Sequence, residues 1–139
     1  MVEGFIPKDK IIWSPFYCDG KQKEYFEVMG YDIIHEDKDF FCYTPEYDII
    51  VDNPPFSKMK EICKKLKELD KPFMLICVST LLLSKWFQIM FRDHLQVIIP
   101  ENRPTFTGNG KDNYTPPFGT SFFCSKMNLD KDLIFIDFK

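Results

Sequence analysis

The sequence predicts an α/β fold with a mostly parallel central sheet and flanking helices. Short apolar runs rich in β-branched and aromatic residues alternate with longer segments whose apolar residues recur every three or four positions. The first predicted strand and helix are joined by a turn that contains a glycine, and polar side chains follow the next two strands. Sheets of this kind bind ligands beyond the carboxyl ends of their strands, so we expect the functional residues there.

The chain begins with the strand, turn and helix of a nucleotide-binding unit. Residues 10–13 are predicted to form a strand, and residues 14–20 (Ser-Pro-Phe-Tyr-Cys-Asp-Gly) form what we call the glycine turn. Residues 21–29 show helical spacing of Tyr25, Phe26 and Met29, and Gly30 is placed to end that helix.

An acidic cluster (residues 36–39) follows a second predicted strand, residues 31–35. The interval from Gly20 to Asp37 is near the roughly 20 residues that separate a glycine turn from a ribose-binding carboxylate. Asp37 or Glu36 is therefore a candidate to accept hydrogen bonds from both hydroxyls of a ribose. Asp39 could accept from an adenine amino group, with Phe40 or Phe41 packed on the purine. The alternative is an ordinary solvated acidic loop.

The remaining elements follow in the same alternation. Further strands are predicted over residues 47–52, 73–78, 95–99, 118–124 and 132–138, and two helices over residues 57–69 and 79–93. Ser57 is expected to cap the first of these helices, and Ser79 or Thr80 to begin the second. Residues 100–117 form a long polar loop, in which Arg103, Phe106 and Tyr114 are candidates to contact a substrate.

The segment Asn53-Pro54-Pro55-Phe56, here called the NPPF motif, directly follows a buried strand that ends at Asp52. The Asn53 side-chain carbonyl and the nearby backbone carbonyls could accept hydrogen bonds from one amino group and direct its lone pair at an electrophile. The prolines fix the backbone and remove competing donors. Phe56 offers a flat face on which a planar ring could stack. The alternative is a proline turn with Phe56 in the core.

Composition narrows the class of protein. A chain of 139 residues that is 45% hydrophobic can bury one core, so we expect a single domain over residues 1–139. No apolar run is long enough to span a membrane and no signal peptide is evident, so a soluble, intracellular protein is expected. Five cysteines without a Cys-x-x-Cys pair indicate reduced thiols, neither disulfides nor a zinc site.

The charge distribution argues against tight, unaided binding of nucleic acid. Net charge is −3 and the sequence pI about 5.4. A local cluster of lysines follows the NPPF motif and could flank a phosphate backbone, or could simply be a solvated helix face. Its members are Lys58, Lys60, Lys64, Lys65, Lys67 and Lys71.

The NPPF motif resembles the Asn-Pro-Pro-aromatic motif of S-adenosylmethionine-dependent amino-methyltransferases, which act on adenine N6 in DNA, on guanine N2 in RNA or on protein glutamine. The glycine turn resembles that family's cofactor loop, and the acidic cluster with Phe40 and Phe41 is similar to its ribose and adenine contacts. Residues 117–121 (Pro-Phe-Gly-Thr-Ser), with Arg103 and Phe106, resemble the end of small phage- and virus-type DNA adenine-N6 enzymes. The resemblance covers residues 10–126.

The resemblance implies a Rossmann-like methyltransferase fold of reduced size and an S-adenosyl-L-methionine cofactor. It implies catalysis by the NPPF motif, with substrate contacts from Phe56, Lys58, Arg103 and Phe106. The cofactor-binding residues it implies are Pro15, Phe16, Cys18, Gly20, Glu36, Asp37, Asp39, Phe40 and Asp52. No metal is required.

Two residues depart from the family pattern, and one region is missing. Ser14 stands where the family has Asp or Glu, and Cys18 stands where it has the first glycine of the loop. Compared with the full fold of that family, we expect one helix and one strand to be lacking before Tyr47, and we expect no separate target-recognition domain within these 139 residues. A non-catalytic methyltransferase-like subunit therefore stays an alternative, beside an enzyme of RNA guanine or protein glutamine. An active enzyme in the cytoplasm or nucleus of a host cell would need single-stranded DNA, a homodimer or a recognition subunit.

Overall fold

A computed structural model describes residues 2–101 and 119–137. Within these residues seven strands form one sheet, in the order β2-β1-β3-β4-β6-β5-β7. Six strands run parallel, and β6 is antiparallel to both of its neighbours. The strands are β1 (Ile11–Trp13), β2 (Asp32–Ile34), β3 (Ile49–Asp52), β4 (Phe73–Val78), β5 (Leu95–Pro100), β6 (Thr120–Ser125) and β7 (Leu133–Ile136). The predicted mostly parallel α/β sheet is confirmed.

Three α-helices flank the sheet in the described part of the chain: α1 (Gln22–Val28), α2 (Met59–Leu69) and α3 (Lys85–Phe91). Gly30, with φ of 87°, follows the end of α1, as predicted. The α2 helix ends at Asp70, which adopts the left-handed conformation. Short 3₁₀ helices cover Val2–Phe5, Phe56–Lys58 and Ser79–Leu83.

Two predicted helix boundaries are wrong. Ser57 does not cap α2, because it lies inside the 3₁₀ turn that leaves the prolines, and α2 begins at Met59. The helix expected over residues 79–93 is interrupted at Ser84, whose ψ of 124° is extended. This residue separates the 3₁₀ helix Ser79–Leu83 from α3, so Leu83 is left exposed.

Both faces of the sheet are buried, which explains the continuous apolar runs. One face packs against α2 and α3, in a core that includes Trp13, Ile62 and Phe123. The other face packs against α1 and the first residues, around Ile12 and Phe26. The parallel strands β1, β2 and β3 are neighbours, so the glycine turn, the acidic cluster and the NPPF motif emerge at the same end of the sheet.

The two outermost strands are β2 and β7. The segment after β6, whose pairing the sequence leaves open, returns as β7 and joins the sheet beside β5 in parallel. In the part of the chain that the structure describes, no helix is both long and apolar enough to cross a membrane.

Candidate active site

The Asp52 carboxylate, at the end of β3, ties the glycine turn to the NPPF motif. Its Oδ2 atom accepts hydrogen bonds from Ser14 Oγ at 2.9 Å and from the Phe16 backbone N–H at 2.7 Å. Its Oδ1 atom accepts from the Asn53 backbone N–H at 2.7 Å. One buried side chain therefore fixes the chain leaving β1 and the chain leaving β3, which are neighbouring strands.

Burial raises the pKa of Asp52 to about 6, from an ordinary value of 3.8. The hydrogen bonds from Phe16, Asn53 and Ser14 oppose this rise because they favour the charged form, and nearby His35 does so by its charge. The carboxylate thus remains buried in a place where only these donors compensate for the lost water.

His35, directly after β2, connects a third strand to the same group. Its Nδ1 atom lies 2.8 Å from the Ser14 backbone oxygen, which can only accept, so Nδ1 carries the hydrogen. The ring stacks on Tyr17 with centroids 4.9 Å apart. The buried Nε2 atom has no hydrogen-bond partner among residues 2–101 and 119–137. His35 therefore supports the glycine turn from below. His35 was not among the predicted site residues, because its position at a strand end is its only local signal in the sequence.

At two positions of the glycine turn the backbone has a positive φ, the conformation that glycine adopts most readily. Gly20 has φ of 77°, and a Cβ atom there would lie 2.6 Å from the Tyr17 hydroxyl oxygen, so a side chain does not fit without a shift. Cys18 has φ of 51° and is exposed. The left-handed backbone is therefore retained where the family pattern has glycine, although cysteine adopts it less readily.

The hydroxyl group of Ser14 is a suitable hydrogen-bond donor for the buried Asp52 carboxylate. Ser14 is fully buried and donates its hydroxyl hydrogen to the Asp52 carboxylate. A second carboxylate in this place would set two like charges at hydrogen-bond distance in a buried environment. The hydroxyl is thus the partner that the buried Asp52 requires in this chain.

The three acids of the acidic cluster differ in their contacts. Glu36 accepts a hydrogen bond from the Tyr43 hydroxyl at 3.0 Å and pairs with Lys38 at 3.3 Å. Asp39 accepts from the Phe41 backbone N–H at 2.9 Å, which closes a local turn. Asp37 is exposed, and within residues 2–101 and 119–137 its carboxylate makes no hydrogen bond or ion pair. Asp37 is therefore the carboxylate best placed to take a new ligand.

The adjacent Phe40 and Phe41 lie in different environments. Phe40 is buried against Trp13 and Phe16, with ring centroids 5.5 and 5.1 Å away, and the Lys65 ammonium lies over its ring. Phe41 is 42% exposed. Phe40 was predicted as a cofactor contact, but the structure places it in the core, and Phe41 is the member of the pair with an accessible ring.

The NPPF motif directly follows β3, as predicted. Pro54 is buried and Pro55 is extended, with φ of −66° and ψ of 129°, so the chain is held before it turns into the 3₁₀ helix. The Asn53 side chain is exposed, and no hydrogen bond to it occurs in the described residues. Phe56 is 43% exposed, so it is not the core residue of the alternative interpretation.

The lysine cluster is only partly available. Lys67 and Lys71 donate to the backbone oxygens of Met90 and Tyr47 at 2.8 and 2.7 Å, and Lys65 donates to the backbone oxygen of Phe40. Lys58, Lys60 and Lys64 are exposed. Among the described members of the lysine cluster, three remain available as a basic rim after the NPPF motif. The other predicted substrate contacts, Arg103 and Phe106, lie outside the described residues, as do Tyr114 and Pro117-Phe118.

A search for surface clefts would not identify this site. Two open clefts, of about 680 and 470 Å³, lie at the opposite end of the strands. Gln96 and Asp132 line the first, and Tyr47 and Pro72 line the second. The site is identified instead by the convergence of Ser14, His35 and Asp52 below exposed functional side chains.

No family model matches the chain, and no curated protein matches it. Solved structures are similar in fold. One is the TehB-like SAM-dependent methyltransferase from Corynebacterium glutamicum, with a TM-score of 0.51 and 9% identity over 89% of this chain and 83% of that one. Another is TehB from Haemophilus influenzae, with a TM-score of 0.49 and 11% identity over 90% of this chain and 60% of that one. The chain has a Rossmann-like methyltransferase fold.

Proposed function

We propose that this protein is an S-adenosylmethionine-dependent methyltransferase that acts on the exocyclic amino group of adenine in DNA. The observation that carries the proposal is the Asp52 carboxylate, which holds the NPPF motif and the glycine turn together at one end of the sheet. A methyl donor and an amino acceptor must meet in one place, and these two segments are the ones that would hold them. The methyltransferase fold supports the methyltransferase part of this proposal and leaves the substrate open.

The residues at the strand ends fit S-adenosyl-L-methionine. Asp37 is an exposed carboxylate with no partner in the described chain, suited to accept from two ribose hydroxyls. Phe41 offers a partly exposed ring for the adenine. The glycine turn, held by Ser14, His35 and Asp52, would pass beneath the cofactor. When bound, the cofactor's sulfonium supplies an electrophilic methyl group.

The NPPF motif would position the substrate amino group. The Asn53 side-chain carbonyl and the Pro54 backbone carbonyl would accept its two hydrogens, which directs the nitrogen lone pair toward the methyl donor. Phe56 would stack on the target base after it has left its strand. Lys58 would contact the adjacent phosphate. Proximity and orientation are the main contributions expected of the protein.

A second candidate is an amino-methyltransferase of protein glutamine or RNA guanine. Three lysines of the cluster donate to backbone oxygens of the protein itself, and net charge is −3. This leaves a modest basic surface for nucleic acid, whereas a protein substrate would not require one.

The first experiment is calorimetric titration with S-adenosylmethionine and S-adenosylhomocysteine. We expect micromolar binding, on the order of −8 kcal/mol. Asp37→Ala should weaken binding at least about tenfold because it removes the ribose acceptor. Glu36→Ala is the matched control, since Glu36 is already paired with Tyr43 and Lys38, and it should leave the affinity nearly unchanged. Absence of binding in the wild-type protein would favour a non-catalytic subunit.

Turnover is tested with radiolabelled S-adenosylmethionine and three acceptors: adenine-containing single-stranded DNA, guanine-containing RNA and a glutamine peptide. Methylation of DNA alone is the expected result, and methylation of RNA or peptide would transfer the proposal to the second candidate. Asn53→Ala should abolish turnover and leave cofactor binding intact. Ser57→Ala, an exposed neighbour outside the motif, is its control. Loss of cofactor binding in Asn53→Ala would assign that residue a structural role.

A further inference from the structure

The two edges of the sheet differ in a way that the proposed function does not explain. At one edge, β2 has three residues, of which Ile33 is buried and Asp32 presents a charge to solvent. Short, charged edges resist pairing with other chains. At the other edge, β7 carries Leu133 and Phe135, which are 51% and 71% exposed. All four residues of this strand are apolar, and the charged residues Lys131, Asp132 and Asp137 lie only beside it.

The exposed side chains of β7 share one face of the sheet. Leu133 and Phe135 are in register with Val97 and Ile99, which belong to the core beneath α2 and α3. Ile134 and Ile136 pack against the opposite core. The side chains of Ile134 and Ile136 are therefore packed against this chain, whereas those of Leu133 and Phe135 keep half or more of their surface exposed.

The backbone groups of β7 also differ between even-numbered residues, which pair with β5, and odd-numbered residues, which point away from it. The Asp132 and Ile136 carbonyls accept hydrogen bonds from the Val97 and Glu101 backbone N–H groups. Backbone groups alternate sides along a strand, so those of residues 133, 135 and 137 point away from β5. A further strand can pair there only through these odd-numbered residues.

Antiparallel self-pairing offers few registers that bring odd-numbered residues opposite one another. When Leu133 faces Phe135 of the partner subunit, Lys131 faces Asp137 of the partner subunit, and each contact occurs twice about a two-fold axis at Ile134. A shift by one pair in one direction places Lys131 against Phe135 of the partner subunit. A shift in the other places Leu133 against Asp137 of the partner subunit. One register alone matches apolar to apolar and positive to negative.

We propose that β7 pairs with β7 of a second copy of this chain in that register, which makes a symmetric dimer with a continuous sheet. The interface is isologous, with the same patch on both subunits. Charge complementarity at both ends of the strand fixes the register. The Leu133 and Phe135 side chains of the two subunits, four in all, pack against one another. The proposal rests on the sheet edge and does not depend on the methyltransferase activity.

Charge exchange tests the register. The molecular mass in solution is measured by sedimentation equilibrium for the wild type, Lys131→Glu, Asp137→Lys and the double variant, over concentrations up to about 100 μM. The wild type should be dimeric. Each single exchange should raise the dissociation constant at least about tenfold, because it sets like charges opposite each other twice. The double variant should return to nearly the wild-type value. A double variant as weak as the single ones would overturn the register.

A second pair of variants tests the apolar contact. Phe135→Arg should give monomers, whereas Val28→Arg, which changes an 81% exposed apolar residue on α1, should stay dimeric. Both positions are exposed, so circular dichroism should show the same fold for both. A wild-type protein that is monomeric throughout the concentration range, or a Phe135→Arg variant that remains dimeric, contradicts the proposal.

Discussion

The two halves of the sheet use their carboxyl ends differently. In the half formed by β2, β1 and β3, Ser14, His35 and Asp52 are buried beneath the glycine turn. In the half formed by β4, β6 and β5, phenylalanine rings dominate the core: the Phe87 and Phe123 centroids lie 5.5 Å apart. There, the Ser79 and Ser121 hydroxyl groups form a hydrogen bond with each other, with their oxygen atoms 2.7 Å apart. The first half thus has a buried polar group beneath exposed side chains, and the second has a closely packed aromatic core.

This difference shows where the fold tolerates unfavourable local features. The β2-β1-β3 half contains a carboxylate with a raised pKa, a cysteine with positive φ and an imidazole nitrogen that no described residue pairs with. Each of these costs free energy that a simpler residue would avoid. Such features persist when the surrounding structure holds them, so the aromatic core of the other half is expected to supply much of the stability on which the site depends.

The largest effect is expected from a core substitution in the β4-β6-β5 half. Phe123 is 1% exposed, so Phe123→Ala should lower the free energy of unfolding by about 3–5 kcal/mol through lost burial and a cavity. Denaturant titration of the wild type and the variant measures this difference in the free energy of unfolding. Val28→Ala, which changes an 81% exposed side chain on α1 in the other half, is the control and should change it by less than about 1 kcal/mol. Similar losses in both variants would refute the division between the halves.

The next effect concerns the pH dependence of stability. Because the pKa of Asp52 is raised in the folded state, the folded protein keeps a proton that the unfolded chain has lost between about pH 4 and pH 6. The unfolded state binds fewer protons in this window, so stability falls as the pH rises through it. A pKa that moves from 3.8 to about 6 corresponds to about 3 kcal/mol.

Asp52→Asn should remove that dependence. From pH 4 to pH 7 the free energy of unfolding of the wild type should fall by about 2.4 kcal/mol relative to the variant, because at pH 4 the unfolded carboxyl group is still partly protonated. Urea denaturation at several pH values measures the difference. Ser14→Ala keeps the carboxylate and removes one donor that lowers its pKa, so its pH dependence should persist and move to higher pH. Identical pH profiles for the wild type and Asp52→Asn would show that Asp52 is not the group responsible.

The sequence predicted the elements well and the packing between them poorly. The bounds of β4 and the position of the NPPF motif after β3 follow from apolar runs and proline, which are local signals. The choice between Phe40 and Phe41 is not local, because Trp13 and Phe16 on another segment decide which ring is buried. The role of Ser14 likewise depends on Asp52, which lies far along the chain.

The smallest effect is expected at Cys18, and it tests whether glycine would suit this position of the glycine turn better than cysteine. Cysteine at φ of 51° is strained by about 1–2 kcal/mol, while glycine makes the unfolded chain more flexible by about 0.4–1 kcal/mol. Cys18→Gly should therefore raise the free energy of unfolding by about 1 kcal/mol or less, and it should tighten S-adenosylmethionine binding because no Cβ atom would separate backbone and cofactor. Cys18→Ala, which loses the thiol and keeps Cβ, should leave that affinity unchanged. If both variants bind more tightly, the thiol and not the backbone approach limits the affinity, and the glycine turn would then be as well formed with cysteine as with glycine.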